Sequence, residues 1–256
     1  GPEVLQYKTV DLPEPGPGEV LVRIMAAGVN PVDTYIRTGT YAQKPVLPYT
    51  PGKDGAGTVA AVGSGVTDFK VGDRVFTADS VSGTYAEYAL CRTSQVGILP
   101  DNVTFEQGAG VFVPYATAYR ALFQKARPET GDWILVHGAS GGVGTAAIQW
   151  AKNAGFKVIG TAGSKEGVDL VSSQGADLAF NHTEPDYLKE VLEATEGRGV
   201  NVILEMLANV NLVKDFDVLA KFGKIVVIGN RGSLDFNPRL TMGKDASIFG
   251  MALFNY

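Results

Sequence analysis

The chain has 256 residues and a formal net charge of −5 at pH 7, and 45% of its residues are hydrophobic. This length suits one or two globular domains, and the acidic balance argues against a dedicated nucleic-acid-binding protein. The single cysteine, Cys91, excludes a disulfide framework within the chain. Because no apolar run approaches the ~18 residues of a membrane span, we expect a cytoplasmic protein of a reducing compartment.

The first part of the chain, residues 1–112, has the pattern of a β domain. Residues 19–26 alternate apolar and polar side chains, as a half-buried strand does, and residues 57–62 and 73–76 are further strand candidates. Prolines and glycines separate these segments. Short strands with turns between them predict a small barrel or sandwich.

From residue 113 onward, strands alternate with helices. The pattern begins with a helix over 115–126, and strands are predicted at 133–136, 157–161, 178–180, 200–205, 224–228 and 247–253, with helices at 143–154, 166–174, 187–195 and 211–219. Alternation of this kind predicts a parallel, doubly wound sheet with right-handed crossovers. We therefore expect a second domain over residues 113–256.

The turn after the first of these strands is rich in glycine and reads His137-Gly-Ala-Ser-Gly-Gly-Val-Gly144. A pyrophosphate must approach such a backbone closely, which a Cβ would block, and the N–H groups that open the next helix hold its phosphates. Ala139 stands where the usual G-x-G-x-x-G motif has its first glycine. The flanking strand and helix favour a dinucleotide-binding turn over a plain tight turn.

Several motifs in a fixed order resemble the quinone oxidoreductase (ζ-crystallin) branch of the zinc-free medium-chain dehydrogenase/reductase superfamily. They lie at residues 28–37, 47–52, 72–75, 83–88, 114–122, 137–144 and 205–211. The resemblance implies a GroES-like β domain for substrate and a Rossmann domain for NADPH, with the active site between them. In the family pattern the chain has an earlier first strand and continues after the sixth Rossmann strand. We therefore expect this sequence to be a fragment with an incomplete catalytic domain.

The residues at the family's zinc positions argue against a metal. Alcohol-dehydrogenase relatives bind catalytic zinc with Cys, a His-Glu pair and a further Cys or Asp, whereas this chain has Asn30 and Lys53-Asp54 at the first two positions. Zinc sites of this type need thiolate or imidazole ligands, and the chain contains one cysteine and two histidines. We expect no metal.

The second Rossmann strand favours NADPH over NADH. An NAD enzyme usually places a carboxylate about 20 residues past the glycine motif, but here the region reads Gly160-Thr-Ala-Gly-Ser-Lys165. Gly163 leaves room for a 2′-phosphate, and Lys165 supplies a positive charge unless it is simply solvated. The resemblance places further cofactor contacts at Tyr35, Ser140, Gly141, Gly142, Val143, His182, Asn211, Ile228, Gly229, Asn230, Arg231, Met251, Ala252 and Leu253.

Reduction of a quinone develops negative charge on its oxygen, and hydrogen-bond donors aimed at that oxygen lower the barrier. Without a metal, the donors must be side chains or backbone groups. The resemblance points to Asn30, Tyr35 and Tyr41 as candidates, with Asp33 as an orienting group. Tyr35 is alternatively a contact for the nicotinamide end of NADPH.

Three functions stay open from the sequence. The first is an NADPH-dependent quinone reductase that transfers either a hydride or single electrons to a quinone or another small acceptor. The second is an NADPH-dependent enoyl or alkenal double-bond reductase. The third is a cofactor-binding structural protein of the crystallin type or an RNA-interacting protein, although the net charge of −5 counts against RNA. Relatives commonly form homodimers or homotetramers through the Rossmann sheet edge, which residues 248–253 are predicted to supply.

Overall fold

The structure, a computed structural model, describes residues 1–42 and 44–255. The chain divides into two compact units, Gly1–Val113 and Pro114–Tyr256. The predicted fold class is confirmed, because the first unit contains an antiparallel sheet and the second contains a parallel sheet with helices between its strands.

The sheet of the first unit has five strands. They are β1 (Glu19–Gly28), β2 (Asp54–Val62), β3 (Arg74–Ala78), β4 (Tyr88–Arg92) and β5 (Val96–Ile98), and their order in the sheet is β4-β1-β2-β3-β5. Val20 and Val22 on β1 are fully buried and pack in one core cluster with Val59, Val75 and Cys91. Alternate residues Val20 and Val22 of β1 therefore point into the core of this unit, whereas Met25 of the same strand is exposed.

The first unit also has two short helices, α1 (Pro31–Thr38) and α2 (Phe105–Gly108), which the sequence pattern did not reveal. The start of α1 has a clear physical basis, because Pro31 occupies its first turn and the Asp33 carboxylate accepts the Asn30 N–H at 2.9 Å. Gly39, with φ of +74°, ends the helix in the left-handed region that glycine favours. Eight residues are too few to show a helical period in the sequence. The prediction that the first unit contains strands alone is therefore wrong, and the predicted strands also omit β4 and β5.

The sheet of the second unit has six parallel strands. They are β6 (Trp133–Val136), β7 (Lys157–Ala162), β8 (Leu178–Asn181), β9 (Val200–Glu205), β10 (Leu219–Val227) and β11 (Ser247–Gly250), in the order β11-β10-β9-β6-β7-β8. The chain runs outward from β6 to β8 on one side and from β9 to β11 on the other. The strand order therefore reverses between β6 and β9, which is where ligands bind in sheets of this kind.

Helices cover both faces of this sheet. They are α3 (Phe112–Tyr119), continued by a π-helical segment Arg120–Ala126, then α4 (Gly142–Asn153), α5 (Lys165–Ser173), α6 (Tyr187–Ala194), α7 (Ala208–Val218) and α8 (Arg239–Lys244). Successive β6 residues point to opposite faces: Ile134 packs with Ile148 of α4, and Leu135 packs with Phe216 of α7. Both faces are buried, which explains the continuous apolar runs in the sequence.

Three predictions for this unit are wrong. Strand β10 begins at Leu219, five residues before the predicted start. Its pairing with β9 shifts register between Leu219 and Lys224, where Phe222 adopts a positive φ of 62°, and this irregular part has no regular strand pattern in the sequence. Strand β11 ends at Gly250 instead of residue 253, since the pairing with β10 stops there. Helix α8 is absent from the sequence prediction. Strand β11 does lie at the edge of the sheet, as expected.

Within the described residues, no helix is long and apolar enough to cross a membrane.

Candidate functional site

The glycine-rich turn joins β6 to α4 at the strand-order reversal. Gly138 has a positive φ of 56°, its carbonyl accepts the Gly141 N–H at 3.0 Å, and the Ala139 N–H donates to Thr161 of β7 at 2.8 Å. Gly141 is the N-cap of α4, and no described side chain caps this helix. The open N–H groups, with the positive end of the helix dipole, make this turn suitable for a phosphate group.

Two positions in this turn have strict steric requirements. A Cβ on Gly144 would lie 2.5 Å from Ala139 Cα and 2.5 Å from the Gly138 carbonyl oxygen, so only glycine fits between the helix and the turn. Ala139 is fully buried, and a Cβ on Gly160 of β7 would lie 2.9 Å from the Ala139 methyl group. The neighbouring strand therefore provides the glycine that makes room for alanine in the motif.

The loop after β7 contains the residues predicted to select NADPH. The Ser164 hydroxyl accepts the Gly167 N–H at 3.1 Å and caps α5. Lys165 Nζ contacts Asp169 Oδ2 at 2.7 Å, and both side chains are largely exposed. A Cβ on Gly163 would lie 3.0 Å from His182 Nε2. The structure thus brings Gly163 and His182 together. It also pairs the Lys165 ammonium group with the Asp169 carboxylate on the same helix, α5.

Burial lowers the pKa of His182, and the proximity of His137 lowers it further. The imidazole is therefore mostly neutral at pH 7 in the absence of an anion.

The predicted positions that follow β9, β10 and β11 lie at the same edge of the sheet, because the carboxyl ends of parallel strands meet there. The Glu205 carbonyl accepts the N–H groups of Ile228 and Gly229 at 2.9 and 3.1 Å. Asn211 Nδ2 donates to Glu205 Oε1 at 3.2 Å, which turns its amide toward the protein interior. The other predicted positions are Asn230 and Arg231, which are exposed, and Met251, Ala252 and Leu253, which follow the end of β11.

A buried polar cluster beneath these loops is absent from the sequence prediction. His137 directly follows β6, Glu205 ends β9, and Asp215 lies on α7; their exposed fractions are 3%, 0% and 0%. His137 Nε2 lies 2.9 Å from Asp215 Oδ1 and 3.7 Å from Glu205 Oε2, while Nδ1 lies 3.2 Å from Thr161 Oγ1. Burial raises the pKa of Glu205 to about 7 and that of Asp215 to about 7. Burial also lowers the pKa of His137, although the nearby Glu205 carboxylate opposes that shift.

The first unit has its own buried polar cluster at the start of α1. Asn30 Nδ2 donates to Asp54 Oδ2 at 3.0 Å, and the Tyr85 hydroxyl donates to Asp33 Oδ2 at 3.0 Å. The Val113 N–H donates to both Asp54 carboxylate oxygens, at 3.0 and 3.2 Å. Predicted residues Asn30 and Asp33 are therefore together, and Asp54 and Tyr85 join them although the sequence assigned neither a catalytic role.

Burial dominates the acid–base properties of this cluster. It raises the pKa of Asp54 to about 7, although the hydrogen bonds from Asn30 and Val113 oppose the shift. Burial also raises the pKa of Asp33, against the hydrogen bonds from the Asn30 N–H and the Tyr85 hydroxyl. Burial and the Asp33 charge together raise the pKa of Tyr85, which therefore stays protonated and remains a donor.

The tyrosines proposed as donors lie at and beyond α1. Tyr35 is half-buried on α1, and its carbonyl accepts the Tyr41 N–H at 3.2 Å. Tyr41 is also half-buried, and burial raises the pKa of its hydroxyl. The hydroxyl oxygen of Tyr49 is buried with no partner among the described residues, and burial followed by the Asp33 charge raises its pKa. The phenols of Tyr41 and Tyr49 therefore keep their protons at pH 7.

Comparison with known proteins supports a single family. The model "Alcohol dehydrogenase GroES-like domain" matches residues 16–121, and the model "Zinc-binding dehydrogenase" matches residues 142–256. The quinone oxidoreductase of Homo sapiens is 50% identical over the whole chain, which spans 78% of that protein, and the Rattus norvegicus protein of the same name is 52% identical with the same coverage. The solved structure of Escherichia coli quinone oxidoreductase complexed with NADPH has a TM-score of 0.89 and 35% identity, and the match covers 100% of this chain and 79% of that one.

Proposed function

This chain belongs to the quinone oxidoreductase family of medium-chain dehydrogenases/reductases, and we propose from this premise that it is a metal-independent, NADPH-dependent quinone reductase. The observation that carries the proposal is the uncapped N-terminus of α4 behind a turn in which Gly144 has no room for a Cβ. Such a turn is built for close approach of a pyrophosphate.

The second unit fits NADPH at two places. The N–H groups that open α4, from Gly142 onward, bind the pyrophosphate. The loop after β7 receives the 2′-phosphate, because Gly163 allows the His182 imidazole to lie against the loop and Lys165 can turn from Asp169 toward the phosphate. The Lys165–Asp169 pair is exposed, so breaking it costs less than about 1 kcal/mol. NADPH, when bound, supplies the reducing equivalents.

The first unit supplies the groups that stabilise charge on the acceptor oxygen. One N–H of the Asn30 amide is held by Asp54, and the second hydrogen is left for the acceptor. Asp33 fixes the first turn of α1 by accepting the Asn30 N–H, and α1 carries Tyr35. Asn30, Tyr35 and Tyr41 are the proposed donors, and Asp33 orients the helix that bears Tyr35.

Steady-state oxidation of NADPH, followed by its absorbance, tests the proposal directly. We expect turnover with an ortho- or para-quinone, much slower turnover with NADH, and no loss of rate after treatment with a zinc chelator. Turnover of aliphatic alkenals with inert quinones would instead favour the double-bond reductase. Tight NADPH binding without turnover of either acceptor class would favour the structural, crystallin-like alternative.

We further propose that the chain forms a homodimer through β11, one of the two edge strands of the parallel sheet. The strand has a neighbour in the sheet on one side only, and an edge strand offers backbone groups that a second copy can pair with. Light scattering of the purified chain would give twice the chain mass, whereas a monomer at micromolar concentration would refute the dimer. A cytoplasmic location stays a prediction and is tested by cell fractionation.

A further inference from the structure

The buried cluster of His137, Glu205 and Asp215 connects the loops that the NADPH site uses. His137 lies directly before the glycine turn, and its ring contacts Thr161 at 3.2 Å in β7. Glu205 Oε1 accepts the Leu207 N–H and an Asn211 N–H, and its backbone carbonyl accepts the Ile228 and Gly229 N–H groups. The cluster therefore contacts the ends of β6, β7 and β9 and the start of the loop after β10.

Two carboxylate oxygens of the cluster have no hydrogen-bond donor among the described residues. Glu205 Oε2 and Asp215 Oδ2 are buried, and neither oxygen accepts a hydrogen bond from the described residues, although His137 Nε2 lies 3.7 Å from Glu205 Oε2. One nitrogen of His137 and one carboxylate oxygen each of Glu205 and Asp215 lie within 4.8 Å of one another. A proton shared by the two carboxyl groups would give both oxygens a partner, and leaving buried carboxylates unpaired is costly.

We propose that His137, Glu205 and Asp215 form a buried proton-holding unit that positions the NADPH loops and weakens NADPH binding when it loses its proton. The sign follows from charge, because deprotonation adds a buried negative charge beneath a turn that must receive an anionic pyrophosphate. It also leaves two carboxylates repelling each other at the ends of β9 and α7. The inference rests on the proposed NADPH site.

Burial of the carboxyl groups supports this assignment and sets the pH range. Burial raises the pKa of Glu205 and of Asp215 to about 7 each, so the shared proton leaves as the pH rises above neutrality. The other titratable groups that face the cluster lie outside this range. The pKa of His182, after β8, is lowered by burial, and the pKa of Tyr187 on α6 is raised by burial and by the two carboxyl groups.

Fluorescence titration with NADPH from pH 6.5 to pH 9 tests the proposal. Binding at pH 6.5 establishes the cofactor site itself, and only the pH dependence reports on the cluster. We expect the Kd of the unmodified chain to rise about tenfold over this range, which corresponds to a cluster pKa that is about one unit higher in the complex. Ionisation of the 2′-phosphate, with a pKa of about 6, would act in the opposite direction.

Glu205→Gln is the informative variant. Its amide oxygen can still accept the Leu207 N–H, and its NH₂ group can donate to Asp215 Oδ2, so it mimics the protonated acid. We expect this variant to bind NADPH as the unmodified chain does at pH 6.5, with a flat pH profile. Asp217→Asn removes one negative charge as well, but from an exposed position on α7, the helix that carries Asp215, and it should keep the original profile.

A flat profile in the unmodified chain overturns the proposal, and so does an unchanged slope in Glu205→Gln. If Glu205→Gln does not fold, Asp215→Asn and the profile of the unmodified chain still decide, with thermal unfolding as the check on folding. Stoichiometric divalent metal in the purified chain, lost in Glu205→Gln, would assign the cluster to a metal ion and also overturn the proposal.

Discussion

Two glycine-to-alanine substitutions in the cofactor turn separate packing from phosphate binding. In Gly144→Ala, the new methyl group would lie 2.5 Å from Ala139 Cα and 2.7 Å from its carbonyl carbon. Ordinary carbon–carbon contacts are about 3.5–4.0 Å, so the turn or the helix must move by roughly 1 Å. The obstructing atoms are backbone, and a side-chain rotation cannot relieve the contact.

Overpacking of this kind typically costs about 1–3 kcal/mol, and we expect the upper end here. For a chain of this size, each kcal/mol lowers Tm by roughly 2–4 °C, so Gly144→Ala should melt about 6–12 °C lower. It should also lose NADPH affinity, because the turn that holds the pyrophosphate has moved.

Gly142→Ala is the complementary change. Its Cβ would meet only Pro114, at 3.5 Å, which is an ordinary contact, and alanine is a better helix former than glycine. We expect an unchanged or slightly raised Tm and an NADPH affinity roughly tenfold weaker or worse, since the methyl group would face the pyrophosphate.

Differential scanning fluorimetry and NADPH titration measure both effects, with Gly243→Ala, which has no atom within 4 Å of the new Cβ, as the neutral control. Full stability in Gly144→Ala would show that the turn is not packed as described. Undiminished NADPH affinity in Gly142→Ala would refute the phosphate-binding role of the α4 N-terminus.

The remaining predictions concern single side chains. Burial raises the pKa of Asp54 in the folded chain from 3.8 to about 7, so folding favours the protonated acid and this stabilisation is lost as the pH rises to neutrality. Between pH 5 and pH 8, the free energy of unfolding, measured with denaturant, should fall by up to about 3 kcal/mol more in the unmodified chain than in Asp54→Asn. An equal fall in both proteins would contradict a buried, protonated Asp54. Lys165→Glu should weaken NADPH binding about tenfold with little effect on NADH, whereas Asp169→Asn, which frees Lys165, should not weaken it; equal losses for both cofactors would contradict the 2′-phosphate assignment. Tyr35→Phe should lower turnover roughly tenfold or more without a change in Tm, while the exposed control Tyr7→Phe keeps full rate; unchanged kinetics in Tyr35→Phe would remove it from the mechanism.

The second unit is well predicted by its sequence because its signals are local. A strand buried on both faces is a continuous apolar run, as in β6 and β9, and all six predicted strands, from Trp133 to near Gly250, correspond to strands of the structure. The errors fall where local sequence and tertiary pairing disagree. Phe222 with a positive φ lies inside β10, and Met251 continues an apolar run after pairing has ended.

The parts of the site that the sequence does not reveal depend on contacts between distant residues. Asp215 is 78 residues from His137, and Tyr85 is 52 residues from Asp33. An aspartate on an amphipathic helix has the pattern of a solvated residue until the fold buries it. The glycine turn, by contrast, is contained in eight consecutive residues, so the sequence alone is enough to explain its glycines.

The two buried clusters show how this chain accommodates carboxyl groups that a protein interior does not tolerate as ions. At the position where zinc-binding relatives would have a metal ligand, Asn30 donates an amide hydrogen to Asp54, and the Val113 N–H adds a second donor. These neutral donors do not offset the cost of burial, because the pKa of Asp54 still rises to about 7. A divalent cation would lower that pKa by compensating the carboxylate charge. A neutral amide cannot do so, and protonation of Asp54 then removes the charge. The same reasoning applies to Glu205 beneath the cofactor loops, so alkaline pH should affect both units of the chain by the same physical cause.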